Sequence, residues 1–484
     1  MQHAEPLFLG RTFDDFLFRP QHTPVAARRG VDLAMPLVAG LDLALPVVGA
    51  NMDTVVGQEM AKTLALEGGL GFLHRNSSIA EQAERIRYVK TRHSYVIERP
   101  VVLERGATMA QARLTIRQHN ASGILIEEEK GSGFLAGILS HRDMPLDRSG
   151  DERLVSEFMT PRGRLVTRPS SVAIDEAEQV MFEHRVEKLP LVDEQNRIRG
   201  LITMRDLKLY KQKPHSSKDG RGRLRVGGAV GATGDYLERA EAMLTEEVDC
   251  LLLDVAHADS DLVERAIKEL RRKIRDLPLV VGNVATAAAA RWLVDLGADA
   301  VKVGVGPGRG CRTRLETGAG VPQLQAVREA WIGIEGKVPI IADGGIQNDK
   351  DIFLAIACGA STVMLGSMLS GTDEAPGLVV EDPATRQKVK LYRGMTSPEA
   401  VSEGSDDDEQ VAEALRTPAE GQSVRVPYVG SVVGILARIR GHLQSAVSYA
   451  GERDLASAHR KVSRDPGRFL IPLSGAARRE SFVR

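Results

Sequence analysis

The stretch Ala300-Val-Lys302-Val-Gly304-Val-Gly306-Pro-Gly308-Arg309-Gly310-Cys311-Arg312-Thr313-Arg314 runs from a short apolar segment straight into a glycine-rich, cationic loop that carries a thiol. Buried parallel strands read this way, as short β-branched runs that stop at glycine or polar residues. Seven other segments share the pattern, at residues 45–51, 69–74, 226–231, 249–255, 277–284, 339–345 and 362–367, and a helix-like segment follows each. With 300–306 they make eight strand-plus-helix units. That number predicts an α/β fold, a closed (β/α)8 TIM barrel whose site lies at the C-terminal strand ends and the loops after them. Asn51, Asp53, Asp254, Asn283, Cys311, Asp343 and Ser367 would then surround one mouth. A doubly wound open sheet is the alternative, because strand count alone does not close a barrel.

Composition narrows the class. A chain of 484 residues holds two to three domains. Lys plus Arg (64) nearly cancels Asp plus Glu (65), so no overall field recommends a nucleic acid or an anionic membrane as partner. The three cysteines, Cys250, Cys311 and Cys358, are odd in number and far apart, which argues against a disulfide framework and for a reducing compartment. The first residues, Met-Gln-His-Ala-Glu-Pro, lack a basic segment followed by an apolar one, and no apolar run approaches membrane-spanning length. The expectation is a cytoplasmic enzyme.

Residues 95–210 differ in texture: they carry more charge and repeat themselves. Gly137-Ile-Leu-Ser140-His-Arg-Asp143 aligns with Gly200-Leu-Ile-Thr203-Met-Arg-Asp206, each preceded by an apolar run, Ser122-Gly-Ile-Leu-Ile and Lys188-Leu-Pro-Leu-Val. Two such copies resemble a tandem cystathionine-β-synthase-type (CBS) pair. The resemblance implies a nucleotide cleft at each motif, with Ser140, Asp143, Thr203 and Asp206 meeting the phosphate and ribose of ATP or GTP; a pair that binds nothing is the alternative. The domain boundaries follow as 1–94 for the first part of the barrel, 95–210 for the insert and 211–484 for the rest of the barrel with its flap and tail.

Cys311 is a candidate nucleophile. Thiolate attacks carbon, and the neighbouring Arg312, Arg314 and loop N–H groups would favour the charged form. A buried, inert loop cysteine is the competing reading. Asp343, followed by Gly344 and Gly345, offers a carboxylate for a ribose diol and bare N–H groups for a phosphate, and Gly366-Ser367 on the next strand adds donors of the same kind. Together they read as a mononucleotide cradle, although glycines after strands also serve simply as turns.

Several runs, taken in order, resemble the IMP dehydrogenase / GMP reductase family over essentially the whole chain. They are Ala50-Asn-Met-Asp-Thr-Val55, Gly69-Leu-Gly-Phe-Leu-His-Arg-Asn76, Gly222-Arg-Leu-Arg-Val-Gly-Gly-Ala-Val-Gly231, Gly282-Asn-Val-Ala-Thr286, the Cys311 loop, Ala342-Asp-Gly-Gly-Ile346, Met364-Leu-Gly-Ser367 and Tyr392-Arg-Gly-Met395. The resemblance implies that Cys311 attacks C2 of a purine nucleotide, GMP or IMP, to form a covalent thioimidate, and that a nicotinamide cofactor exchanges hydride at that carbon. It further implies Met52 on the purine, and Tyr392, Gly394, Met395 and Gly421 on the nucleotide. Asp254, Asn283, Gly304 and Gly306 would face the cofactor. A potassium ion would lie on the carbonyls of Gly306, Gly308 and Cys311, and the assembly would be a homotetramer or octamer. The sequence departs from the family at Arg309, where a phosphate-binding serine is usual; Arg309 either holds the phosphate as a charged donor or faces solvent or a neighbouring subunit.

The two branches of the family differ in what they do besides hydride transfer. A dehydrogenase activates water with an Arg-Tyr dyad on a mobile flap, and no Arg-Tyr occurs between Tyr392 and Gly421. A reductase must protonate a departing amine, and Thr313 with Glu420 matches the Thr-Glu pair that does so in GMP reductases. Against this stands the insert, commoner among dehydrogenases. The resulting expectation is a CBS-bearing, NADPH-dependent GMP reductase; the alternatives are an IMP dehydrogenase and a catalytically silent nucleotide sensor. Arg425, a conceivable substitute base, reads as a solvated or ion-paired residue on a returning strand. The acidic stretch 403–409 reads as a disordered flap, and the basic segment 453–484 as a poorly ordered tail or an intersubunit arm.

Overall fold

Strict alternation of inward and outward side chains builds the first of two compact units in this computed structural model, which describes residues 5–92, 95–119, 121–145, 150–403 and 418–482. Its eight parallel strands are β1 (Val47–Gly49), β2 (Leu70–Leu73), β3 (Gly227–Val230), β4 (Cys250–Asp254), β5 (Leu279–Val284), β6 (Ala300–Val303), β7 (Ile340–Asp343) and β8 (Thr362–Leu365). They pair in sequence order, and β8 pairs with β1 through Val363 and Val47, so the sheet closes. Closure removes the open-sheet alternative. Each strand is a little shorter than its apolar run, at one end or both.

Along β4, Leu251 and Leu253 face outward into the layer beneath the helices, whereas Cys250 and Leu252 face the barrel axis. The axis is filled by Val48, Leu70, Phe72, Leu252, Val280, Ala300, Ile341 and Met364, a packed core rather than a pore. A hairpin, Met35–Val38 with Leu41–Leu43, adds Leu37 and Leu43 to this inner cluster. The outer layer comprises α1 (Gln58–Leu66), α2 (Ile79–Thr91), α3 (Tyr236–Thr245), α4 (Asp261–Ile274), α5 (Ala287–Asp295), α6 (Gln323–Ile334), α7 (Asp349–Ala357) and α8 (Val432–Tyr449). The last of these packs on α7 and α1 and completes the ring. No helix is long and apolar enough to cross a membrane among the described residues.

The segment 453–484 corrects its expectation. Leu455–Arg464 is a helix that buries Leu455, Ala458 and Val462, and Leu470–Pro472 pairs antiparallel with Phe16–Phe18. Its basic residues occupy the solvent side of an amphipathic helix, which is why composition alone suggests disorder. The acidic stretch lies, apart from Glu403, outside the described residues.

The second unit comprises Thr91–Pro214 with Gly220–Arg223. In it, strand Gly123–Glu127 pairs with Leu135–Ser140, and strand Lys188–Val192 pairs with Ile198–Thr203, so the two sequence copies give matching hairpins. Leu125, Leu135 and Ile138 of one copy meet Val192 and Leu201 of the other in a common apolar cluster. Each motif ends in the same local bond: Ser140 Oγ donates to Asp143 at 2.6 Å, and Thr203 Oγ1 donates to Asp206 at 2.5 Å. Thr203 also accepts from the Asp206 N–H and thereby caps the helix Met204–Gln212.

Candidate active site

At the C-terminal end of the barrel the inward-facing layer changes from apolar to charged. Asp254 follows Leu252, Lys302 follows Ala300 and Asp343 follows Ile341, each two residues further along its strand and therefore on the same face. A register shift between Gly282 and Val284 brings Asn283 into the same layer. Lys302 Nζ lies 2.8 Å from Asp254 and 2.6 Å from Asp343, and it also meets Asn283 Oδ1. Asn283 Nδ2 donates to Asp343 at 3.0 Å and to the Gly304 carbonyl at 2.7 Å, while Asn51 donates to Asp254 at 2.8 Å. Burial opposes charge on Lys302, but Asp254 and Asp343 outweigh it and raise its pKa. Burial likewise opposes charge on Asp254; Lys302 and the Asn51 hydrogen bond reverse the balance and hold its carboxyl below the usual range.

Above this floor opens a cavity of about 760 Å³, a size suited to a nucleotide-sized ligand. Its wall gathers Met52, Asp254, Asn283, Arg309, Cys311, Asp343, Gly344, Gly345, Gly366, Ser367, Tyr392, Gly394 and Met395 from the sequence analysis, together with Gly308. Glycine is required at the cradle: Gly344 and Gly345 have φ of 86° and 76°, and a Cβ at Gly366 would fall 2.9 Å from the Tyr392 hydroxyl. Tyr392 is buried, and burial followed by the charge of Asp343 pushes its phenol up.

Cys311 is half-buried and faces the cavity, whereas Cys250 and Cys358 are fully buried, with the Cys358 thiol pushed up to about 12 chiefly by burial. The cations next to Cys311 in sequence have hydrogen-bonding partners other than the sulfur, and Arg314 also interacts with it through charge. Arg312 pairs with Glu316 at 2.5 Å, and Arg314 donates to the carbonyls of Val305 and Val321. What touches the sulfur is Thr313, whose Oγ1 lies 3.2 Å from Sγ and donates to Glu420 Oε2 at 2.6 Å.

Backbone pairing sets this contact. Cys311 bridges Gly421, Arg312 N–H donates to the Glu420 carbonyl at 2.7 Å, and Gln422 N–H donates to the Gly310 carbonyl at 3.0 Å. Residues 420–422 thus lie alongside the loop although about a hundred residues separate them in sequence. Thr313, Glu420, Gly421, Gly304 and Gly306 do not line the cavity wall. At Gly304 a Cβ would fall 2.0 Å from the Asp343 carbonyl, so that glycine permits two strands to approach. The Gly308 carbonyl accepts the Cys311 N–H at 3.0 Å.

Asp53 does not join this mouth. It pairs with Arg393 at 2.6 Å, accepts from Asn76 at 2.8 Å, and lines a separate cavity of about 480 Å³. Arg425 lies on the strand Ser423–Pro427, which pairs antiparallel with Lys388–Arg393, and it meets Asp382 at 2.8 Å, an ion pair rather than a base at the site. Sequence reasoning assigns no role to Lys302, Arg75 or Gln347, all of which line the main cavity. For Lys302 a signal is present: it is the lone charge in an otherwise apolar strand.

A parallel barrel with a thiol, a carboxylate floor and a glycine cradle at its C-terminal mouth defines a class of nucleotide-handling enzymes, and comparison with known proteins gives the family. The family model "IMP dehydrogenase / GMP reductase domain" matches residues 10–483, and the chain belongs to that family of oxidoreductases. An inosine-5'-monophosphate dehydrogenase of Aquifex aeolicus (strain VF5) is 39% identical over 477 residues, 98% of this chain and 95% of the relative. A cysteine-to-alanine variant of GMP reductase from Trypanosoma brucei, solved in complex with guanosine 5'-monophosphate, matches with a TM-score of 0.86 at 37% identity. The match covers 98% of this chain and 97% of that one. GMP reductase from the same organism in complex with guanosine 5'-triphosphate matches with a TM-score of 0.77 at 33% identity, over 96% of this chain and 98% of that one.

Proposed function

We propose that this protein is a GMP reductase that converts GMP to IMP and ammonia with NADPH. The observation that carries the reading is the hydroxyl of Thr313, which stands between the Cys311 sulfur and the Glu420 carboxylate. In this reading the nucleotide lies with its phosphate on Gly345, Gly366 and Ser367, aided by Arg309, and its ribose diol on Asp343. Cys311 sulfur bonds to C2, and the thiol proton passes through the Thr313 hydroxyl to Glu420. The same proton then returns to the 2-amino group, the C2–N bond breaks, and ammonia leaves a thioimidate. NADPH supplies the hydride that completes reduction at C2, after which the C2–S bond breaks. Asp254 and Asn283 would hold the cofactor at the other side of the cavity. Positioned proton transfer of this kind contributes about 10²–10⁴-fold to a rate.

Two further points support the reductase over the dehydrogenase. No Arg-Tyr dyad occurs in the sequence between Tyr392 and Gly421, and Arg425 is held by Asp382. The dehydrogenase reading draws on relatives such as the Aquifex protein, named IMP dehydrogenase. A potassium ion on the loop carbonyls of Gly306, Gly308 and Cys311, a homotetrameric or octameric assembly, and ATP or GTP at Ser140, Asp143, Thr203 and Asp206 of a CBS pair belong to the same proposal. The deciding experiment assays purified protein with GMP plus NADPH against IMP plus NAD. Turnover of the first pair is expected; turnover of the second alone overturns the assignment, and binding without turnover of either makes the protein a sensor.

A further inference from the structure

One buried charge touches both sides of the cavity. Lys302 is 3% exposed, and its ammonium has three N–H donors for three acceptors: Asp254 Oδ1, Asp343 Oδ2 and Asn283 Oδ1. Asp254 spends its second oxygen on Asn51. Asp343 takes both of its bonds, from Lys302 and Asn283, on the same oxygen Oδ2, and among the described residues Oδ1 has no partner. That leaves Oδ1 as a fixed, vacant acceptor in the cavity wall. An apolar residue would fill this layer of the barrel without desolvating three ionic groups, and a buried ionic cluster is weak evidence for stability as its purpose.

We propose that Lys302 is a positioning residue for both ligands at once, aiming Asp343 at the nucleotide ribose and Asp254 at the cofactor, and keeping the two carboxylates ionised side by side. The proposal rests on the assignment of Asp343 and Asp254 to those two ligands in the proposed function. Two carboxylates in one site do not both stay ionised without a compensating charge; one of them retains a proton. The raised pKa of Lys302 and the lowered one of Asp254 accord with the ammonium supplying that charge. The other ionisable groups facing the cluster across the cavity are Arg75, Arg309, Cys311 and Tyr392.

The test uses the full-length protein. Lys302→Met is expected to weaken GMP binding, measured by calorimetry without cofactor, and to raise the KM for NADPH, each by about tenfold or more, with a smaller change in kcat. The acid limb of kcat/KM is expected to move to higher pH by about one unit, because one carboxylate now holds its proton longer. In Asp254→Asn/Lys302→Met a single carboxylate remains, so GMP affinity and the acid limb are expected to return toward wild type while the NADPH KM stays high. This charge-balanced pair also guards against failure of the single variant to fold. Weakening of one ligand alone, or a GMP affinity in the double variant as poor as in Lys302→Met, overturns the proposal. If wild type turns over IMP and NAD instead, the same arms run with those ligands, so loss of the branch assignment and loss of this role remain separate results.

Discussion

Three of the hydroxyl–carboxylate pairs among the described residues have nearly the same bond length and different surroundings. Thr203–Asp206 and Ser140–Asp143, at 2.5 and 2.6 Å, join residues three apart in sequence. Thr203 takes the N–H of Asp206 as well, a local helix cap that needs nothing from the rest of the molecule. Thr313–Glu420, at 2.6 Å, joins residues 107 apart. Thr313 is the first residue of its short helix rather than the cap, and its oxygen also touches the Cys311 sulfur. The bond alone therefore does not distinguish a fold-maintaining pair from a reactive one. Under the proposed chemistry, sequence separation and the third atom do: a long-range pair held against the Cys311 sulfur is one that propensity did not put there.

The contrast can be broken at several points. Cys311→Ala has the largest expected effect, a fall in GMP-dependent NADPH oxidation of more than about 10⁴-fold with GMP affinity retained, because only the nucleophile is removed. Calorimetry beside the kinetic assay checks both halves; substantial residual turnover would remove the covalent mechanism. Glu420→Gln and Thr313→Val are each expected to cost about 10²–10⁴-fold in kcat. The double variant is expected to be little worse than either single, since the two act as one relay; additive losses would show that they act separately. Thr203→Val should do the reverse, lowering the stability of the insert by about 1 kcal/mol through loss of a cap, with turnover in the absence of ATP or GTP unchanged. Thermal unfolding and steady-state kinetics of both threonine variants give the comparison directly: Thr203→Val is expected to lower Tm and Thr313→Val to lower kcat. The smallest effect is expected of Arg425→Ala, with kcat within about twofold of wild type because the ion pair it breaks is exposed. A large fall there would reopen water activation by that arginine.

Much of the fold is legible in the order of the residues. Each barrel strand announces itself as a β-branched run ending in a glycine or a polar residue, since a strand covered on both faces must be apolar throughout and must then meet solvent at the mouth. The repeat in the insert is legible because its capping motifs are local. Two expectations fail for a common reason. Nearness to a strand end puts Asp53 at the mouth, but the chain turns after Met52 and its carboxylate meets Arg393, a partner 340 residues away. Charge makes the basic segment 453–484 look like a loose tail, although Leu455, Ala458 and Val462 recur at helical spacing and are buried.

The sequence by itself determined the eight strands, the cradle glycines and the identity of the thiol, because period, turn chemistry and loop composition are properties of neighbouring residues. Only the tertiary structure decided that the Glu420 carboxylate meets the Thr313 hydroxyl, and that one lysine is shared by Asp254 and Asp343. These depend on contacts between segments far apart in the chain. The lysine meets its partners because β4 to β7 pair side by side, and Thr313 meets Glu420 because the Cys311 loop pairs with residues 420–422; a pattern read along the chain carries no record of either.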